Sequence, residues 1–282
     1  MIEALAKAAV LTEALPYIRQ WAGSKVVIKT GGEVIEDPEL LDSLVTDVVL
    51  LRFVGINPIL IHGGGPQISA EMQRRGIAPS FVDGRRITDA PTMQIVRSVL
   101  LEINKEIVAA MNRHGGQAVG ISGEDGPLLV ARSADGGRLG YVGEIERVEP
   151  SVLGLLMQGE FIPVVAPVAS GPDGPRNVNA DTAAAAVAGA VGARKIVFLT
   201  NVPGLYADLG DAGSLISQIK VAELERMLAG GELSDGMIPK IRAAVGAMRS
   251  GVPQAHLLDG RIGHALLLEI FTDQGVGTMV LP

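Results

Sequence analysis

Two lysines, one aspartate and two glycine-rich turns carry the chemistry that this sequence can do. Lys29 ends the apolar run Val26, Val27, Ile28 and is followed by Thr30, Gly31 and Gly32. The run PILIH leads in the same way into Gly63, Gly64 and Gly65, after which Pro66 opens a helix. Consecutive glycines let the backbone approach a ligand closely and reach φ > 0. A helix N-terminus adds unpaired N–H donors and the positive end of its dipole, so each turn suits an anion such as phosphate. A tight strand-to-helix turn without a ligand is the plainer use of either one taken singly. If the two strands are parallel neighbours, both turns fall at the carboxyl ends of the sheet, where open α/β folds bind ligands. Neither turn spells GxxxxGK[ST] or GxGxxG, which sets the P-loop and dinucleotide fingerprints aside.

Lys240, in DGMIPKIRAA, sits at another helix start. A lysine in a first turn opposes the helix dipole, which favours a functional reason for it. Asp181 opens the alanine-rich stretch NVNADTAAAAVAGA, where it serves either as an N-cap or as an organiser of charge. Phosphoryl transfer to a hydroxyl wants a general base. Transfer to a carboxylate, ionised at neutral pH with an ordinary pKa of about 4, does not. Two ammonium groups aimed at one phosphoryl repel each other, and a carboxylate between them offsets that repulsion. The expectation is a Lys-Asp-Lys arrangement with no base. Arg86, second of the pair in VDGRRIT, has the planar fork that matches a carboxylate bidentately. Asn177 and Asn179 either orient a polar substrate or act as ordinary loop amides.

The elements that must position these groups follow from the hydrophobic pattern. Apolar residues recur at helical spacing over 3–19, then the strand VVIK, a helix over 38–54, PILIH, a helix from Pro66 and another over 91–113 alternate as in βαβ units of a parallel sheet. AVGIS, LLVAR and GYVGEI are short runs broken by Gly and Asp, expected as hairpins forming a lid. IPVVAPV reads as a buried strand and SGPDGPRN as a linker between lobes. A helix from Asp181, the strand KIVFLT, helices over 221–229 and from Pro239, the strand AHLLDG and a helix through Glu269 complete the chain.

With 282 residues and 48% hydrophobic content, the chain can bury a sizeable core. A net charge of −7 without a dense Lys/Arg cluster argues against nucleic-acid and anionic-membrane partners. The lack of cysteine excludes disulfides and thiolate metal sites, and with four histidines no protein-held metal is expected. MIEALAKAAVLTEALPY has no basic n-region, and no apolar run reaches the roughly 20 residues of a membrane span, so a cytoplasmic location is expected.

KTGG, HGGGPQ, DGRRIT, GISGEDG, NVNADTAAAA, LTNVPGLY, GMIPK and HLLDGRIGHALLLEIFTDQGVGTM occur in this order along nearly the whole chain. Together they resemble the acetylglutamate kinases of the amino acid kinase family, most specifically through NVNAD, LTxVxG, MxPK and FTDxGxGTM. The resemblance implies an α/β fold, a three-layer αβα sandwich with an open, mainly parallel central sheet and an extra N-terminal helix. It implies phosphorylation of the side-chain carboxylate of N-acetyl-L-glutamate by ATP in arginine biosynthesis, with Mg²⁺ held mainly by the phosphates.

By the same match Lys29 and Lys240 stabilise the transferred phosphoryl and Asp181 organises them. Gly32, Gly64 and Gly65 donate N–H bonds to phosphate oxygens, and Arg86 and Asn177 hold the substrate beside Gly64 and Gly65. LPYIR and the C-terminal tail resemble the arginine-inhibited branch, which implies an L-arginine effector bound by Tyr17, His256, Glu269 and Gly275. It also implies a homo-hexamer, a trimer of dimers interlaced by N-terminal helices. The corresponding segments are an oligomerisation helix over 1–24, an acetylglutamate lobe over 25–170 and a nucleotide lobe with the effector segment over 171–282. A sibling kinase acting on acetylaminoadipate and a non-catalytic arginine or nucleotide sensor of the same fold are the competing readings. Glu33, Asn201, Arg176 and Asp235 depart from the family pattern, and the two acids would weaken anion binding if they pointed inward.

Overall fold

The computed structural model describes residues 9–208, 210–234, 236–272 and 275–282. Along the chain lie helix α1 (Leu15–Trp21), strand β1 (Lys25–Thr30), helices α2 (Gly32–Glu36) and α3 (Pro38–Phe53), β2 (Asn57–His62), α4 (Gly65–Arg74), the short strands β3 (Phe81–Val82) and β4 (Arg85–Arg86), and α5 (Ala90–Arg113). Then come β5 (Ala118–Ser122), β6 (Leu129–Ser133), β7 (Gly143–Val148), α6 (Ser151–Gln158), β8 (Ile162–Ala166), β9 (Val168–Gly171), β10 (Gly174–Asn177) and α7 (Ala180–Val191). The chain closes with β11 (Lys195–Thr200), β12 (Gln218–Lys220), α8 (Val221–Gly230), α9 (Ile238–Arg249), β13 (Ala255–Asp259), α10 (Ala265–Phe271) and β14 (Thr278–Leu281).

Eight strands form one sheet in the order β12-β14-β13-β11-β1-β2-β8-β5, with β13 and β14 antiparallel and the other neighbours parallel. Alternation along its central strands feeds two cores. Val27, Ile59, Ile61, Ile196 and Phe198 enter one, packed on the alanines of α7 and α9, while Val26, Ile28, Leu60, Val197 and Leu199 enter the other, against α3 and α5. A strand buried on both faces needs apolar residues at every position, which explains the unbroken runs VVI, PILI and IVFL. The result is the expected three-layer sandwich, and it sets Lys29 opposite Ile61 at the carboxyl end of β1.

Helix starts are fixed by side chains. Asp37 caps α3 through the N–H groups of Glu39 and Leu40, Asp89 caps α5 through Thr92, and Asn179 caps α7 through Thr182.

Several expectations change. The helix expected over 3–19 lies partly outside the described residues, and α1 runs to Trp21 with Pro16 in its first turn. A short helix, α2, follows Gly31 directly, and α4 begins at Gly65 rather than Pro66. AVGIS is not a hairpin arm but the edge strand of the main sheet, parallel to β8. SGPDGPRN is not a linker: β9 and β10 form an antiparallel hairpin that joins β6 and β7 in a four-stranded sheet, ordered β10-β9-β6-β7. That sheet and the hairpin of β3 and β4 rise over the carboxyl end of the main sheet. The hairpin turns on Asp83 (φ 48°) and Gly84 (φ 73°), the left-handed pair that a two-residue Asp-Gly turn requires. Among the described residues no helix is long and apolar enough to cross a membrane.

Candidate active site

Lys29 reaches Asp181 on the first turn of α7, with Nζ 2.8 Å from Oδ1 and both side chains almost fully buried. The contact lies off the angle of a hydrogen bond, so charge rather than direction holds it. Asp181 is available because the cap of its helix is Asn179, whose side chain accepts from Thr182 N at 3.0 Å. The structure thus separates two roles left open by the sequence: Asn179 caps, and Asp181 pairs.

Lys240, in the first turn of α9, donates to Gly236 O at 3.3 Å. Burial lowers its pKa below the ordinary lysine value, Asp181 and Glu33 pull it back up, and the Lys29 ammonium adds to the lowering. The two lysines and the aspartate therefore share one electrostatic neighbourhood.

Two cavities open onto it. One, of about 410 Å³, lies between the Gly63–Gly65 turn, Arg86, β7 and the Asn177–Thr182 segment. The other, of about 520 Å³, lies between α2, Thr200, Asn201, Lys240 and Arg261. Lys29, Gly31 and Gly32 line both, so the cavities meet at an ammonium group flanked by backbone N–H donors.

Gly32 and Gly64 serve space rather than handedness. Gly31, Gly32, Gly63, Gly64 and Gly65 all lack a left-handed φ, contrary to the conformational role expected for them. A Cβ at Gly32 would stand 2.4 Å from Gln67 Oε1 and 2.9 Å from Pro66 Cδ, and one at Gly64 2.8 Å from Ile103 Cδ1. The turns are tied together: Gly63 N donates to Thr30 O at 2.8 Å, and Gln67 Nε2 donates to Gly32 O at 2.8 Å.

Arg86 is buried beneath the first cavity, its guanidinium donating to Gly65 O (3.0 Å) and Ser69 Oγ (2.8 Å) and lying over the Phe81 ring at 4.7 Å. Asn177 Nδ2 donates to Thr88 Oγ1 at 3.1 Å, which in turn donates to Arg86 O at 2.8 Å, so the two expected substrate contacts sit on one hydrogen-bonded chain. Arg85 faces Glu144 and Asp135 at 3.5 Å each, bridging the β3–β4 hairpin to the opposite wall.

Glu33 does line the second cavity, where it accepts from Asn201 Nδ2 at 3.4 Å near Lys240 and Arg261, so two of the departures partner each other. Arg176 is buried within the lid sheet, paired with Asp173 and over the Tyr141 ring, and does not line either cavity. Asp235 lies outside the described residues. Sequence reasoning missed Arg261, which Asp259 grips through two contacts at 2.9 and 2.8 Å. The signal was a charged turn at the carboxyl end of a strand.

His62 was missed too. Its Nδ1 is 2.9 Å from Gly63 O, its Nε2 is 3.2 Å from Asn104 Nδ2, and burial pushes its pKa down to about 4. The unfolded chain takes up a proton near pH 6.5, whereas the folded chain refuses it until about 4. The resulting stability is fully present above pH 6.5 and is lost as pH falls to 4, about 3 kcal/mol in all. Asp47, raised by burial to about 6 despite its His264 partner, works in the opposite sense over that window. The expected result is therefore a difference: between pH 7.5 and 4.5, urea unfolding of the wild type should lose about 2–3 kcal/mol relative to His62→Asn. A constant difference across that range would refute the buried neutral ring.

At the amino ends of β11 and β13 a second cluster forms. Glu269 Oε1 receives His256 Nδ1 at 2.7 Å and Lys195 Nζ at 3.0 Å. Burial alone would raise Glu269, yet His256 and Lys195 hold its carboxyl below the ordinary value. Gly275 is next to Glu269, since a Cβ there would lie 3.5 Å from Oε2. Tyr17 is part of the core around α10, and α1 packs on α10. Three of the four expected effector residues are thus brought together, with the helix of the fourth alongside. Lys195 and Trp21, whose indole lies 4.8 Å from the Lys195 ammonium, were not anticipated. Lys195 opens an apolar strand and pairs with a residue 74 positions away, a separation that no local pattern records.

The sequence profile of the amino acid kinase family matches residues 24–259, which include Lys29, Lys240, Asp181 and the lining of the first cavity. The chain belongs to the amino acid kinase family. This amino acid kinase is 48% identical to the acetylglutamate kinase of Syntrophomonas wolfei, over 100% of this chain and 99% of that protein. It is 52% identical to the acetylglutamate kinase of Acidothermus cellulolyticus, over 98% and 97%. Its structure is similar to that of N-acetylglutamate synthase from Neisseria gonorrhoeae complexed with coenzyme A and N-acetyl-glutamate, with a TM-score of 0.87 and 26% identity. The match covers 98% of this chain but 63% of the synthase, less than two thirds of its length. Carbamate kinase from Giardia lamblia bound to AMP-PNP shares the fold, with a TM-score of 0.70 and 16% identity over 92% of this chain and 99% of that one.

Proposed function

We propose that this amino acid kinase transfers the γ-phosphoryl of ATP to the side-chain carboxylate of N-acetyl-L-glutamate, giving N-acetyl-L-glutamyl 5-phosphate. The observation that carries the reading is the junction of two cavities at Lys29, with Asp181 behind it and Lys240 across from it. End-to-end similarity to acetylglutamate kinases supports the choice of acceptor.

The acceptor carboxylate is already ionised at neutral pH, so the step needs orientation and charge rather than a base. Arg86 and Asn177 hold the acylamino acid in the first cavity and the nucleotide occupies the second. A divalent cation such as Mg²⁺, held mainly by the phosphates, would neutralise part of their charge. The N–H groups of Gly32, Gly64 and Gly65 face the transferring phosphoryl, Lys29 and Lys240 offset its charge, and Asp181 keeps the Lys29 ammonium in place. In this reading residues 25–170 supply the acceptor lobe and 171–282 the nucleotide lobe.

The cluster of His256, Glu269 and Gly275, with Tyr17, Lys195 and Trp21, is the place for an L-arginine effector, since a carboxylate held ionised suits a guanidinium or amino group. Val10, Leu11 and Leu15 are 66%, 74% and 45% exposed, an apolar stripe suited to interlacing N-terminal helices in a hexameric ring. A cytoplasmic location fits such a biosynthetic enzyme.

The test is acylphosphate formation trapped as hydroxamate with MgATP, comparing N-acetyl-L-glutamate with acetylaminoadipate, with and without L-arginine. Turnover on acetylglutamate is expected, suppressed by arginine. Preference for acetylaminoadipate would move the assignment to a sibling kinase. Uninhibited turnover would remove the effector, and no turnover would leave a sensor of the same fold.

A further inference from the structure

We propose that His62 is a positioning residue that keeps the Gly64 N–H turned into the cleft, toward the phosphoryl in transit. The proposal rests on the kinase reading of this site. Gly63 O can only accept, so the hydrogen in its 2.9 Å contact with His62 resides on Nδ1. Nε2 then offers a lone pair, and Asn104 Nδ2 stands 3.2 Å away to donate to it. The other hydrogen of that amide goes to Val164 O at 2.9 Å, which fixes the orientation of Asn104 and with it the tautomer of His62. Room for the amide comes from Gly120 on β5, where a Cβ would lie 1.9 Å from Asn104 Oδ1.

The consequence passes through one peptide plane. In a trans peptide the carbonyl and the following N–H point in opposite directions. The Gly63 carbonyl is drawn back to His62, so the Gly64 N–H in the same plane points away from it, and Gly64 lines the first cavity. Hydrogen bonds hold the planes on either side, Gly63 N to Thr30 O and Ile68 N to Gly64 O, but between two glycines no Cβ opposes a flip of this one, and the His62 bond acts on it directly. A flipped plane would aim a carbonyl oxygen at the phosphoryl. A ring kept neutral at working pH, as burial does here, can hold this bond without adding a charge behind the loop.

A purely structural histidine would change stability and leave turnover per folded molecule alone, so the test reads kcat on protein whose folded fraction is measured by thermal unfolding. His62→Phe, which keeps the bulk and removes the donor, is expected to lower kcat about 10- to 100-fold, with the acetylglutamate KM within about threefold. His62→Asn places an amide nitrogen near the Nδ1 position and should retain kcat within about threefold, while His62→Gln places it near Nε2 and should lose about tenfold or more. If the Phe variant does not fold, the Asn and Gln pair decides. Full kcat in His62→Phe, or equal kcat in Asn and Gln variants, would overturn the proposal. Absence of turnover in the wild type would instead overturn the kinase reading.

Discussion

Replacing Lys240 with alanine is expected to lower kcat about 10³-fold, with the acetylglutamate KM little changed and the thermal midpoint preserved. The ammonium is partly exposed and, among the described residues, donates to Gly236 O, so its removal leaves no buried partner there unsatisfied. It also removes a repulsion with Lys29, which already depresses the Lys240 pKa. What disappears is a positive charge in the second cavity, beside the Lys29 junction, that acts while charge moves between nucleotide and acceptor. Steady-state kinetics with a parallel melt would test this. A kcat within tenfold of wild type would remove Lys240 from the phosphoryl-transfer step.

Asp181→Ala is expected to cost about 3 kcal/mol of stability as well as activity, because it leaves the buried Lys29 ammonium without its partner. Adding Lys29→Met should return about 2 kcal/mol of that loss while activity stays absent, since an apolar side chain of similar length has no charge to desolvate. Urea unfolding of the two single variants and the double variant closes the cycle. If Asp181→Ala unfolds at the wild-type midpoint, the pair does not hold the site together.

The sequence made the architecture legible where burial writes a continuous signal. The runs VVI, PILI and KIVFL are buried on both faces, and the lysine and glycines that follow the first two lie at the carboxyl ends of parallel neighbours. SGPDGPRN misled because composition alone suggested a linker. β10 is the outer strand of its sheet, paired along its length with β9 and touching its other side only where Asn177 N donates to Tyr141 O, so Pro175, which has no N–H to give, is tolerated there. AVGIS misled because Gly120 interrupts it, and the glycine is there to admit Asn104 from α5, a neighbour that the strand itself cannot announce.

The site was legible to the same depth. Lys29, Asp181 and Lys240 follow local patterns, whereas His62, Gln67 and Lys195 act through partners in other elements. The capping role went to Asn179 rather than Asp181 because the cap lies just outside the first helical residue. Helix propensity does not resolve a boundary that finely.

The ties between the two glycine turns also govern substrate traffic. Thr30 to Gly63 and Gln67 to Gly32 join the turns into one unit seated on adjacent central strands of the sheet. That floor cannot part to admit a reactant without breaking both ties. Entry and departure therefore fall to the walls: the β3–β4 hairpin, with two-residue strands and contacts at Arg85 that half face solvent, and the α9 side that carries Lys240. A docking surface held by both ties presents the same donors on every turnover.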